Sequence, residues 1–226
     1  MDPLQQFVRD RMEDALTDLR RLLRQPSVAA SGEGITECAA LVAAIFGEAG
    51  AEVTVIRSAG AAPLVVAGFP GDGNRTLLFY DHYDVQPPDP LPEWTTPPFE
   101  PSIRDGKLYA RGAADNKGDL TSRLWAVQAL QAVRGGLPCR VKFVIEGEEE
   151  IGSVHFDHYV RENREALAGD ACIWEFGERD MHAARNRGHR SGSHNSGGFD
   201  HGLPPHVSAS RRSWSVRLTF VIFARS

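Results

Sequence analysis

The stretch Leu77–Pro87 reads LLFYDHYDVQP, four large apolar or aromatic residues running straight into Asp81, His82, Tyr83 and Asp84. A buried charge is costly unless it is paired or bound to a metal. An apolar strand that ends in a histidine between carboxylates therefore needs a partner. Imidazole is a common zinc ligand, and a ligating His usually gives its other N–H to a carboxylate, which His82-x-Asp84 could supply. EGEEEIGS, from Glu146 to Ser153, follows a second apolar run and sets Glu148, Glu149 and Glu150 in succession. Like charges ~5 Å apart repel by roughly 3 kcal/mol at an effective dielectric of ~20. A dication would remove that cost. A third short apolar run, ACIWEFG, closes on Glu175, and Asp115 in YARGAADNKGD stands at the start of a helical segment. Each has an ordinary explanation when taken singly: a structural His, a solvated acidic turn, an edge-strand Glu reaching water, an Asp helix cap.

The elements that must carry these residues alternate. Asp2-Pro3 is a helix start, and Leu4, Phe7, Val8, Met12, Leu16, Leu19 and Leu23 recur at helical spacing, so one helix is expected to about Arg24. A second helix is expected over Thr36–Glu48, stopping at Gly50, then strands at Glu52–Arg57, Leu64–Phe69 and Thr76–Asp81. A proline-rich loop (Gln86–Pro101) leads to a helix over about Asn116–Val133, a strand at Arg140–Glu146, a helix over about Ser153–Leu167 and a strand at Ala171–Glu175. This order implies an α/β fold: a mixed, mostly parallel sheet with helices on both faces. In open α/β sheets ligands bind beyond the carboxyl ends of the strands. His82, Glu149, Glu150 and Glu175 all fall there. One imidazole with several carboxylates suits Zn²⁺ or Mn²⁺ rather than a thiolate structural site.

Composition narrows the class. The formal net charge is -5, which points to neither nucleic acid nor an anionic membrane. The acidic N-terminus argues against an ordinary signal peptide, and no apolar run approaches the ~20 residues that span a bilayer. Cys38, Cys139 and Cys172 are unclustered, which suggests reduced, buried thiols and a cytoplasmic location.

HYDVQP, RGAADNKG, EGEEEIGS and IWEFG, in this order and spacing, resemble the di-zinc metallopeptidases. These are the carnosinase-type dipeptidases, carboxypeptidase G, aminoacylase, and the acetylornithine and succinyl-diaminopimelate deacylases. The loop from Glu93-Trp94 to Pro98-Phe99-x-Pro101, with DGKLYARG after it, is most similar to the dipeptidase branch. The resemblance implies a hydrolase that cleaves peptide or N-acyl amide bonds through metal-activated water. It implies two Zn²⁺ in the complete enzyme, with Mn²⁺ or Co²⁺ as alternatives, and a small peptide or N-acyl amino acid as substrate. His82, Asp115 and Glu175 would hold the first metal, and Asp115 and Glu150 the second. Glu149 would be the general base, and Asp84 would orient His82. The Asp115-Asn116 peptide would be cis.

The resemblance covers residues 1–180, expected as a partial catalytic domain. Family enzymes go on to a lid domain, which forms the dimer contact, and to a late His ligand for the second metal. Neither is recognisable here, so a dimer is expected only with the lid, and a catalytically inactive chain that binds at most one metal is the alternative. Residues 181–226 hold seven arginines, no lysine and one acid, Asp200, with five of the eight histidines. This Arg/His/Gly/Ser-rich tail is expected to be disordered or a frameshifted reading, with a short strand at Val216–Phe223 and no nucleic-acid role. Without the later segments, uncovered apolar surface should also make the chain aggregation-prone. Resequencing the gene across codon 178 should reveal a frame shift; an intact frame with no family-like continuation would refute it.

Overall fold

The computed structural model describes residues 2–174. Helices α1 (Pro3–Asp10), α2 (Met12–Arg24) and α3 (Ile35–Glu48) precede strands β1 (Glu52–Ile56), β2 (Leu64–Phe69) and β3 (Thr76–His82). A small hairpin follows, β4 (Ser102–Arg104) and β5 (Lys107–Tyr109). Then come α4 (Lys117–Arg134), β6 (Arg140–Glu146), α5 (Phe156–Glu162) and β7 (Ala171–Ile173). The tail, its Val216–Phe223 strand and Glu175 lie outside the described residues, as does the expected boundary at 180/181.

The main sheet has the order β1-β2-β6-β3-β7. β1 with β2 and β2 with β6 are antiparallel, whereas β6 and β7 both run parallel to β3. The sheet is mixed, as expected, with parallel and antiparallel interfaces equal in number among the described strands. Parallel pairing places the carboxyl ends of β3, β6 and β7 on one edge. His82 sits level with Glu146 in that register.

Both faces of the sheet are covered, and for that reason β2 and β3 read as continuous apolar runs rather than alternating ones. On one face Val65, Ala67, Phe69, Phe143 and Ile145 pack against Phe46 and Val42 of α3 and Leu120, Leu124 and Val127 of α4. Phe143 is the hub, with ring centroids 4.9 Å from both Phe46 and Phe79. On the other face Leu64, Val66, Leu78, Tyr80 and Val144 pack against Tyr159 of α5.

Several expected elements change at their ends. The first helix divides at Arg11, whose φ of -109° and ψ of 12° leave the helical region. The Arg11 guanidinium turns to Asp14 and lies over the Trp125 ring. Asp2 caps α1 as expected, accepting from Leu4 N at 3.3 Å. α5 is shorter than Ser153–Leu167 because its flanks have other partners. Ser153 Oγ donates to Glu146, His155 N donates to Glu148, and the Asn163 side chain turns back onto Tyr159 O. The β4–β5 hairpin was not anticipated. Asp105-Gly106, both at positive φ, is the turn that signals it. Burial of all three thiols is also corrected: Cys38 is buried, Cys139 is intermediate and Cys172 is exposed on the edge strand β7, and all three are unpaired. Among the described residues no helix is long and apolar enough to cross a membrane.

The aromatic hub makes the sheet's stability testable. Phe143→Ala removes a fully buried ring and should cost about 3–5 kcal/mol in urea denaturation. A loss below about 1 kcal/mol would contradict this packing.

Candidate metal centre

β3 delivers His82 to the shared strand edge with no exposed surface. Its Nδ1 lies 3.1 Å from the Asp84 carbonyl and 3.2 Å from Asp84 Oδ1. Both are acceptors only, so Nδ1 carries the proton. Nε2 then presents its lone pair, yet it faces Asp115 Oδ1 at 3.0 Å and Glu149 Oε2 at 3.7 Å. A neutral imidazole in that tautomer has nothing to offer either carboxylate. The arrangement is satisfied by a second ring proton or by a cation shared among the three groups. This donor set fits a divalent metal with His82 and Asp115 as ligands. Among the described residues no group of three or more His, Cys, Asp or Glu is arranged to hold a metal by itself. The third ligand implied for this metal, Glu175, lies outside them.

Asp84 does more than orient His82. Fully buried, its Oδ1 accepts from Glu149 N at 3.3 Å and its Oδ2 from Glu150 N at 2.9 Å. One carboxylate thus locks the imidazole and the 3₁₀ turn Glu149–Ile151 that carries the expected base. The crowding of three glutamates resolves by divergence. Glu148 turns inward to Ala62 N and to His155, Glu149 faces His82, and Glu150 accepts from the Gln86 side chain at 2.8 Å. Burial pushes the Glu150 carboxyl above its ordinary range and the Asp115 charge adds to this, while Gln86 opposes it. Asp115 is held below its ordinary range, chiefly by the hydrogen bond it accepts from His82 when the ring carries its second proton. The structure therefore brings His82, Asp84, Asp115 and Glu149 together and engages Glu150 with Gln86 instead.

Asp115 is placed by its neighbours. The Asp115-Asn116 peptide is cis, as the resemblance implies. Lys117, fully buried, donates through Nζ to Leu22 O at 2.9 Å and Gln25 O at 2.8 Å, tying this segment to the carboxyl end of α2. Gly112, at φ +82°, lies so close to Val85 that an added Cβ would come within 2.7 Å of Cγ1. Sequence reasoning passed over Lys117, whose only signal is its place directly after the cis peptide. It also passed over Glu146, a 4% exposed carboxyl that accepts from Tyr80 OH and Ser153 Oγ.

The carboxyl edge of the mixed sheet thus gathers a histidine and carboxylates, a donor set that fits a divalent metal. Residues 78–187 match the model of peptidase family M20/M25/M40. It is 42% identical over 104 residues to a human Beta-Ala-His dipeptidase, covering 46% of this chain and 20% of that protein. It resembles the crystal structure of an M20 family metallo-carboxypeptidase from Sulfolobus solfataricus, with a TM-score of 0.68 and 39% identity, over 72% of this chain and 37% of that one. It also resembles human carnosine dipeptidase 1, with a TM-score of 0.69 and 29% identity, over 76% of this chain and 40% of that one. The matched region is thus well under half the length of each of these proteins.

Burial pushes the Glu146 carboxyl above its ordinary range, against the pull of Tyr80 and Ser153. A raised folded value means a stabilising contribution that is full below the unfolded value of ~4.3 and fades as pH rises through the folded one. Glu146→Gln should therefore lose less stability than the parent as pH is raised from ~4.3 towards neutrality in urea titrations; equal losses would contradict it.

Proposed function

We propose that this chain carries the first-metal half of a metal-dependent hydrolase that cleaves peptide or N-acyl amide bonds, of the dipeptidase kind. The observation that carries the reading is His82, a buried imidazole whose Nε2 faces two carboxylates. The dipeptidase flavour is supported by the similarity to the human Beta-Ala-His dipeptidase.

In this reading His82, Asp115 and Glu175 hold the first metal, and Asp115 and Glu150 contribute to a second. A bound Zn²⁺ supplies Lewis acidity, which acidifies water and polarises a carbonyl. The residues of the chain do the rest. Asp84 keeps the His82 proton on Nδ1, so that Nε2 remains a ligand. Glu149, anchored through its backbone N to Asp84, takes a proton from water at its Oε2 and delivers it to the departing nitrogen. Asp115, more exposed than His82, presents its carboxylate to the open side of the site.

A second reading is a chain that binds one metal and does not turn over. It is favoured by Glu150, whose carboxylate is already taken by Gln86. Zinc titration with a chromogenic competitor, followed by hydrolysis of β-alanyl-histidine, separates the two. Stoichiometric binding lost in His82→Ala supports the metal site, and turnover that falls ~10²–10⁴-fold in Glu149→Gln with binding retained supports the hydrolase. Binding without turnover selects the second reading. A chain that binds no zinc refutes both.

A further inference from the structure

Arg123 projects from α4 to the edge where β3 and β7 end. Nη1 donates to Tyr80 O at 2.9 Å and to Asp81 Oδ1 at 2.6 Å, and Nη2 donates to Trp174 O at 3.3 Å. The β3–β7 ladder itself is short, pairing only Leu77–Phe79 with Ala171–Ile173. Its next rung would join Tyr80 to Trp174, and the guanidinium bridges the carbonyls of these two residues. The Tyr80 and Trp174 rings stack beside it, with centroids 3.8 Å apart and planes inclined by 16°. Arg123 thus extends the pairing of the two strands by one rung, using a planar fork of donors that a lysine lacks.

What lies beyond that rung gives it meaning. Asp81, fully buried in its ion pair with Arg123, immediately precedes His82. Trp174 immediately precedes Glu175 in the chain. We propose that Arg123 is a positioning residue for the metal site at His82, fixing the end of β3 that leads into His82 by clamping Tyr80 and Asp81 against Trp174. This rests on the reading of His82 as a ligand of that metal. β7 is exposed along its whole length, and besides its short ladder and the Tyr80–Trp174 stack it is the Arg123 bridge that ties its end to β3.

The test is zinc affinity of the 226-residue chain, measured by competition, with the visible spectrum of the cobalt-loaded chain as a second readout. Arg123→Gln should weaken zinc binding about 10-fold or more, the scale at which groups supporting metal ligands act. Arg123→Lys keeps the charge beside Asp81 but cannot span both carbonyls. It should fold, as judged by circular dichroism, bind zinc with intermediate affinity and alter the cobalt spectrum. Phe46→Leu, a destabilising change in the core, serves as control and should leave affinity within about twofold of the parent. If Arg123→Lys and Arg123→Gln bind zinc as the parent does, or if Phe46→Leu weakens binding as much as they do, the inference is overturned. A parent chain that binds no zinc removes instead the reading on which it rests.

Discussion

At His82 both ring nitrogens face oxygen acceptors. On the inner side the carbonyl and carboxylate of Asp84 fix the proton on Nδ1, and on the outer side Asp115 and Glu149 crowd the remaining lone pair. The neutral nitrogen offers neither carboxylate a proton, and although Asp115 and Glu149 keep some contact with solvent, His82 itself is fully buried and has no water to turn to. A cation bound among the three groups would remove that conflict. Asp84 couples the same conflict to the loop after β6, because its two oxygens also receive the N–H groups of Glu149 and Glu150.

The sheet makes this coupling possible. β3 and β6 run parallel through seven residue pairs, from Thr76 level with Arg140 to His82 level with Glu146. Register is enforced by burial of both faces, since a slip by one residue would reverse every side chain. The aromatic group around Phe143 on one face and the Tyr80–Tyr159 cluster on the other therefore determine where His82 and the acidic turn meet. α4 acts at both ends of the site: Lys117 ties its start to the end of α2, and Arg123, about one and two-thirds turns later, reaches the ends of β3 and β7.

Much of this was legible because it depends on local pattern. Leu64–Phe69 and Arg140–Glu146 declare themselves as apolar runs with β-branched residues, and both strands have those bounds. His82, Asp84, Asp115 and Glu149 were legible as chemistry because polar residues at the ends of apolar strands require a reason. What was hidden depends on contacts remote in sequence. The route of Glu148 to His155 and Ala62, of Glu150 to Gln86, and of Lys117 to two carbonyls of the α2 end cannot be read from neighbouring letters. Glu146 was hidden for another reason, since a carboxyl at a strand end reads as solvated until Tyr80 and Ser153 are seen to close over it. The split at Arg11 and the early end of α5 follow from side chains that leave the helical pattern for other partners.

The central claim is that a divalent ion sits at His82 among carboxylates. X-ray absorption at the zinc edge of the chain loaded with one equivalent of Zn²⁺ tests it most directly, because it counts imidazoles and detects sulfur around the ion itself. The account predicts a shell of nitrogen and oxygen only, at about 2.0–2.2 Å, with a single imidazole that disappears in His82→Ala. A shell with sulfur, or with several imidazoles that survive that substitution, would place the metal elsewhere and contradict it.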